Sequence, residues 1–225
     1  MQESEILNLW KTYNKKLEEN LVLNKKNAEE ITRIKVKSFL SSMKPLKLFT
    51  ILVGIMWVVF VDVIIFSQLQ DANLFFLLSA GIQVVLTKAA IVIYIYQLIL
   101  IHQVDISEPV VVTQLRLARL KSTTLWVARL LFLQLPVWTT FYWNQGMLEN
   151  GNLTLYIIQA ITTLAFTYAA VWLFLNIRHE NKDQKWFRLI FDGNEWSPVI
   201  KSMELMNQLN EFTEDSKSGN EFTGR

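Results

Sequence analysis

The chain alternates between long apolar blocks and charged stretches, and the blocks are too long for ordinary amphipathic helices. Residues 48 to 67 (LFTILVGIMWVVFVDVIIFS) form one run broken only by Asp62. About 20 such residues in a helix cross a hydrocarbon core of ~30 Å. A second run begins near Asn73 and stays apolar to Ile101, with Gln83, Lys88 and Gln97 inside it. A third, from Thr123 to Trp143, carries Arg129, Gln134 and Pro136 and ends in Phe141, Tyr142 and Trp143, an aromatic group suited to a membrane interface. The fourth, Leu153 to Ile177, has no charge. The expected fold is all-α: an integral membrane four-helix bundle with long cytoplasmic helical extensions.

Between and beyond these blocks the period changes. Ile6, Trp10, Tyr13, Leu17, Leu21, Ala28 and Ile31 recur mostly at intervals of three, four or seven, with no Gly or Pro before Pro45. That pattern predicts an amphipathic helix of about ten turns over residues 1–46. Three partners for its apolar stripe stay open: the chain's own helical hairpin, a second copy in a coiled coil, or a soluble protein. Trp10, Tyr13, Leu17 and Leu21 are the candidate partner-binding residues. In the 102–122 loop, Ser107, Glu108 and Pro109 suit the start of a helix that runs straight into the third span. Ser197 and Pro198 open a last helix with Val199, Met203, Met206 and Leu209 on one side, and the final dozen residues have the composition of a solvated tail. For residues 186–196, a hairpin turning at Asp192–Gly193 and a helix capped by Gly193 are both open. The expected division is a cytoplasmic helix at 1–46, the four-span bundle at 47–178, and a cytoplasmic segment at 179–225.

Charge placement orients this layout. Of 22 Lys and Arg residues, 10 precede the first span, 3 lie in the 102–122 loop and 7 follow the fourth span, while the 68–72 and 144–152 connections have none. Basic flanks stay on the cytoplasmic side, so four spans with both termini in the cytoplasm account for the distribution. Composition agrees, with 52% hydrophobic and 19% charged residues. A formal net charge of +2 gives no basic field for direct nucleic-acid binding.

Polar residues inside the spans each need a reason, because a charge at a helix centre costs ~2.5–3.5 kcal/mol on insertion scales. Lys88 and Arg129 lie roughly 21–23 Å from the outer boundary at 1.5 Å per residue and are expected to reach the inner surface with their long side chains. Asp62, roughly 22 Å outward from Lys47, would need strong tilt or a register shift to meet either, and no such pair is assumed. Gln83, Gln134 and Gln159 are expected to hydrogen-bond across the bundle, at about 0.6 kcal/mol each. Together the six are the intramembrane polar candidates, for packing or for a conduction path.

Enzyme chemistry has little to stand on. There is no cysteine, and His102 and His179 stand apart with no zinc spacing. Phosphate loops, nucleophile elbows and calcium loops are absent from the sequence. The expectation is a protein that is not an enzyme and carries no cofactor.

Five strings, LNLWKTYNKKLEEN, VKSFLSSMKPLKLF, LIHQVDISEPV, STTLWVARLLFLQLPVWTTFYWN and KWFRLIFDGNEWSPVIKSMELMNQ, resemble an uncharacterised family of Bacteroidota four-span integral membrane proteins, and the resemblance covers nearly the whole chain. It implies an inner-membrane location and no established activity. Genes of that family are often found beside a sigma factor of RNA polymerase, which implies a sigma factor as a candidate soluble partner and an anti-sigma-like or signal-transducing role. No residue here matches a zinc-type anti-sigma motif. From residues and resemblance together, the leading expectation is a membrane anchor or signalling regulator in contact with lipids and a cytoplasmic protein, with a second copy of the chain as a further candidate partner. The alternative is a small transporter or channel built on the intramembrane polar residues.

Overall fold

The computed structural model describes residues 3–223 apart from 71–72, 105–107, 109, 144–145, 147–151, 182 and 192–195. Among the described residues every regular element is helical. The first, α1 (Glu3–Ser42), passes through a single turn residue, Met43, into α2 (Lys44–Ser67). Pro45 has no N–H to continue the α-helical ladder, and Met43 N–H instead bonds the Leu40 carbonyl three residues back at 3.2 Å. The chain therefore stays helical through the break.

α3 (Leu74–His102) starts at Asn73, whose side-chain oxygen accepts from Phe75 N–H while its amide nitrogen donates to the Trp143 carbonyl at 2.6 Å. α4 (Val110–Phe132) follows, then a turn at Leu133–Gln134 and the short α5 (Leu135–Thr140). The expected third span is thus two helices, divided where Pro136 cannot donate to the Phe132 carbonyl. α6 (Leu153–Asn176) is capped by Asn152, whose side chain accepts from Thr154 N–H at 3.0 Å. A 3₁₀ turn (His179–Asn181) leads to α7 (Lys185–Phe191) and α8 (Ser197–Thr223).

Among the described residues, three helices are long and apolar enough to cross a membrane: the apolar part of the continuous Glu5–Ser67 rod, Leu74–His102, and Leu153–Asn176. α4 carries Arg116, Arg119 and Lys121 in its first half, and its later apolar part shares the third stretch with α5.

Of the two alternatives open for residues 186–196, the described part, Lys185–Phe191, is helical, while the Asp192–Gly193 turn lies outside the described residues, as do Ser107 and Pro109. α8 continues to Thr223, through most of the stretch whose composition marks a tail. A helix nucleated by a packed first half adds residues at little further cost.

Four buried clusters hold the helices together. At the end of the bundle where α2 begins and α3 ends, here the basic end, Val36, Leu40 and Met43 meet Leu100, Ile101, Val104, Leu117, Leu120, Val199 and Met206. Beside it Leu125, Ile177, Phe187, Phe191 and Trp196 form an aromatic-rich cluster, with the Phe187 and Phe191 rings stacked at 4.4 Å. Further along, Ile51 packs with Ala90, Tyr94 and Val127, and Val58 and Val61 with Ala80 and Val84. Ile91 fills the space over Gly54, where an added Cβ would come within 3.2 Å of it.

Leu40→Ala is expected to lower stability by about 2–5 kcal/mol through the cavity it leaves. Leu9→Ala, at a position 66% exposed, should change it by less than about 0.5 kcal/mol. Thermal unfolding of the two variants in detergent checks the contrast.

Candidate functional site

α1 is two helices in one as far as packing goes. Its last two turns bury one face, with Val36 at 0% and Leu40 at 1% exposure, whereas Trp10 is 66%, Tyr13 68%, Leu17 49% and Leu21 44% exposed. The four exposed side chains fall at intervals of three, four and four, so they line one strip of the helix over roughly 16 Å. Ile6 and Leu7, exposed on the turn before Trp10, enlarge the apolar area beside it. A contiguous exposed apolar patch on a structured helix marks an interaction surface. Of the contacts left open for this helix, its own hairpin and α8 take the end nearest Met43 and leave the strip bare.

Most of the polar candidates inside the apolar helices have a hydrogen-bond partner on another helix or at its end. Arg129 donates from Nε and Nη2 to the Ile177 carbonyl at 2.8 and 2.6 Å. That carbonyl lies at the C-terminal end of α6, where helix carbonyls lack partners and the dipole is negative. The guanidinium also sits over the Trp126 and Phe174 rings, 5.3 and 6.0 Å from their centroids. Gln134 donates to Thr87 Oγ1 at 3.1 Å, tying α4–α5 to α3, and Gln159 donates to the Thr139 carbonyl at 2.5 Å, tying α6 to α5. Ser79 and Thr140 share a further hydroxyl bond of 2.8 Å.

Two placements differ from the expectation. Lys88 does not reach toward the basic end; its Nζ pairs with Asp62 Oδ2 at 3.1 Å. The reason is register. Lys47 sits beside Gln97 and Gly54 beside Ile91, so Lys88 is nine residues, roughly 13 Å, further along than the level of Lys47, and Asp62 is roughly 22 Å along. A lysine stem covers most of the remaining gap. The side chains are 55% and 33% exposed on the flank of α2 and α3. The second difference is Gln83, 1% exposed, whose amide oxygen and nitrogen have no hydrogen-bond partner among the described groups.

In the sequence Lys47 stands only at the boundary of the first apolar run. The structure buries it completely, with Nζ 2.5 Å from Gln97 Oε1 and 4.9 Å from the Tyr94 ring centroid. A signal was there. Met43, Lys47 and Ile51 are spaced by four on the buried face of α2, which placed the lysine between two core residues.

Among the described residues, no group of three or more His, Asp or Glu side chains is placed to hold a metal ion. No family model matches the chain, and neither a curated protein nor a solved structure matches it.

Breaking the Lys88–Asp62 pair from one side should cost more than removing it. Lys88→Met and Asp62→Asn are each expected to destabilise, and the double variant to recover, giving a coupling of about 0.5–3 kcal/mol. Gln83→Leu removes an unpaired buried amide and is expected to raise stability by about 1 kcal/mol, whereas Gln134→Leu should lower it. Unfolding midpoints of the purified variants in one detergent measure both sets.

Proposed function

We propose that this chain is a four-span inner-membrane protein, with both termini in the cytoplasm, that acts as a non-enzymatic anchor or signalling regulator and recruits a soluble protein through α1. Three observations support the membrane placement: three helices long and apolar enough to cross a bilayer, large apolar side chains exposed along them, and basic residues gathered beyond their ends on one side. The fourth crossing in this proposal is the apolar part of α4 continued by α5, with the Pro136 break met by neighbouring helices as membrane helices allow. Arg129 would then lie near the cytoplasmic boundary, its charge shared with a helix end and two aromatic rings.

The observation that carries the partner reading is the bare strip of Trp10, Tyr13, Leu17 and Leu21 on a helix whose other end is fixed in the core. Anchoring one end holds the strip in a defined direction away from the bundle, and a helical strip of this kind docks into an apolar groove on its partner. Trp and Tyr are the residue types that most often dominate such contacts. A sigma factor is the partner that the family resemblance implies, and an anti-sigma-like role follows from it. The anchor is favoured over transport because Arg129, Gln134, Gln159, Lys88 and Asp62 are taken up by bonds to other helices or their ends, leaving few groups to line a path.

Copurification from gently solubilised membranes tests the proposal. A cytosolic protein is expected to come down with the full chain, and Trp10→Ser with Leu17→Ser to reduce its recovery by about tenfold or more, while the variant chain itself is recovered as before. Recovery of the same proteins in the same amounts from both would sink it. Solute flux in proteoliposomes that Lys88→Leu abolishes would instead favour the transporter.

A further inference from the structure

Beside the aromatic-rich cluster lies an open cleft of about 790 Å³, lined by α4, α7, α8 and the turn after α6. Its floor is Phe187 and Trp196, two rings 5.8 Å apart and nearly fully buried. Lys121, Arg188, Lys201 and His179 stand on its walls. Arg188 Nη2 donates to the Asp183 carbonyl at 3.3 Å, which steadies one side of the guanidinium. This volume is that of a small-molecule site, and an apolar floor under a few charged groups is the usual make-up of one.

Position identifies the occupant. Ile177, whose carbonyl holds Arg129, ends α6, and His179 is two residues beyond, so the cleft opens where an apolar helix stops. At its side α7 turns Leu189, 87% exposed, and Ile190 away from the bundle, and Trp186 packs edge-on against Trp172 of α6 at 4.9 Å. Exposed aliphatic side chains beside a tryptophan pair are the dress of a surface at the headgroup level of a bilayer. The charge is graded in the same direction. Lys121, Arg188 and Lys201 outnumber Asp183 by two at the α6 end, while Glu204 and Glu211 line the cleft one and about three turns further along α8.

We infer that this cleft is a binding site for the phosphate headgroup of an anionic phospholipid from the cytoplasmic leaflet. The phosphate sits among Lys121, Arg188 and Lys201, the glycerol and first methylenes lie over Phe187 and Trp196, and the acyl chains leave past Leu189 along α6. Basic pockets at the cytoplasmic face of membrane helices hold headgroups in this way. The inference rests on the membrane placement proposed above and is independent of the α1 partner.

The test is reconstitution of the full chain into vesicles of equal phosphatidylglycerol and phosphatidylcholine, extraction, and native mass spectrometry of the retained lipid. Phosphatidylglycerol is expected to be retained preferentially, and Arg188→Gln with Lys201→Gln to lower that retention about fivefold for each charge removed. Arg188→Lys keeps the charge and should keep most of the lipid. Lys15→Gln with Lys16→Gln, on exposed positions of α1, should change nothing, and circular dichroism of every variant verifies its helix content. Equal retention of the two lipids, or retention indifferent to Arg188 and Lys201, overturns the inference. So does thermal stabilisation by inorganic phosphate in phosphatidylcholine-only vesicles that the Arg188→Gln, Lys201→Gln variant loses, because the site would then belong to a soluble phosphate ester. A chain that fails to enter vesicles at all overturns the membrane placement itself, which is a separate result.

Discussion

Burial of Val36, Leu40 and Met43 against α3, α4 and α8 is the contact from which the rest of the architecture follows. Without it α1 would be a 40-residue helix attached only at its end, and α8 would have no apolar surface on which to lay Val199 and Met206. Most helical stability in proteins comes from such packing rather than from propensity. With α8 held, Trp196 and Phe187 close the floor of the cleft, and α7 is kept against the end of α6. The strip on α1 and the cleft between α4, α7 and α8 are therefore positioned by one cluster.

Away from that cluster the helices are joined by polar side chains as much as by apolar ones. The side chains of Gln134, Gln159, Ser79, Lys47 and Arg129 each find a carbonyl, a hydroxyl, an amide oxygen or an aromatic ring on another helix or at its end. In surroundings of low dielectric such bonds gain strength and an unpaired group costs more. Lys47 and Arg129 illustrate two solutions: the first is enclosed between an amide and a phenol ring, the second neutralises the exposed end of a neighbouring helix. Gln83 has neither kind of neighbour and, with Thr113 and Ser202 among others, is a buried position at which this bundle carries an unmet polar group.

Helix positions were readable from the sequence because apolar period and capping residues act locally. Asn73 and the Leu153 start could be placed to within a residue, and the C-terminal face of Val199, Met206 and Leu209 follows from spacing alone. What could not be read was the offset between neighbouring helices. Depth along each helix was measured from its own boundary, and the α2–α3 register set by Lys47 with Gln97 and Gly54 with Ile91 moves Lys88 into reach of Asp62. The exposed strip was visible as a pattern, but whether its own chain covers it depends on how far α8 and the hairpin extend, a tertiary fact. The cleft was not visible at all, since Lys121, Arg188 and Lys201 come from three segments and carry no common spacing.

The near-continuity of α1 and α2 has a mechanical side. Helices of 40 and 24 residues measure roughly 60 and 36 Å at 1.5 Å per residue, so the pair forms a lever with its long arm ending at the strip and its fulcrum at Met43. The fulcrum is sealed in the core at 0% exposure and the Pro45 break interrupts the ladder by a single turn. Force applied near Trp10 would thus reach the α2 arm as a smaller, stiffer displacement, felt first where Lys47 is clasped by Gln97 and Tyr94.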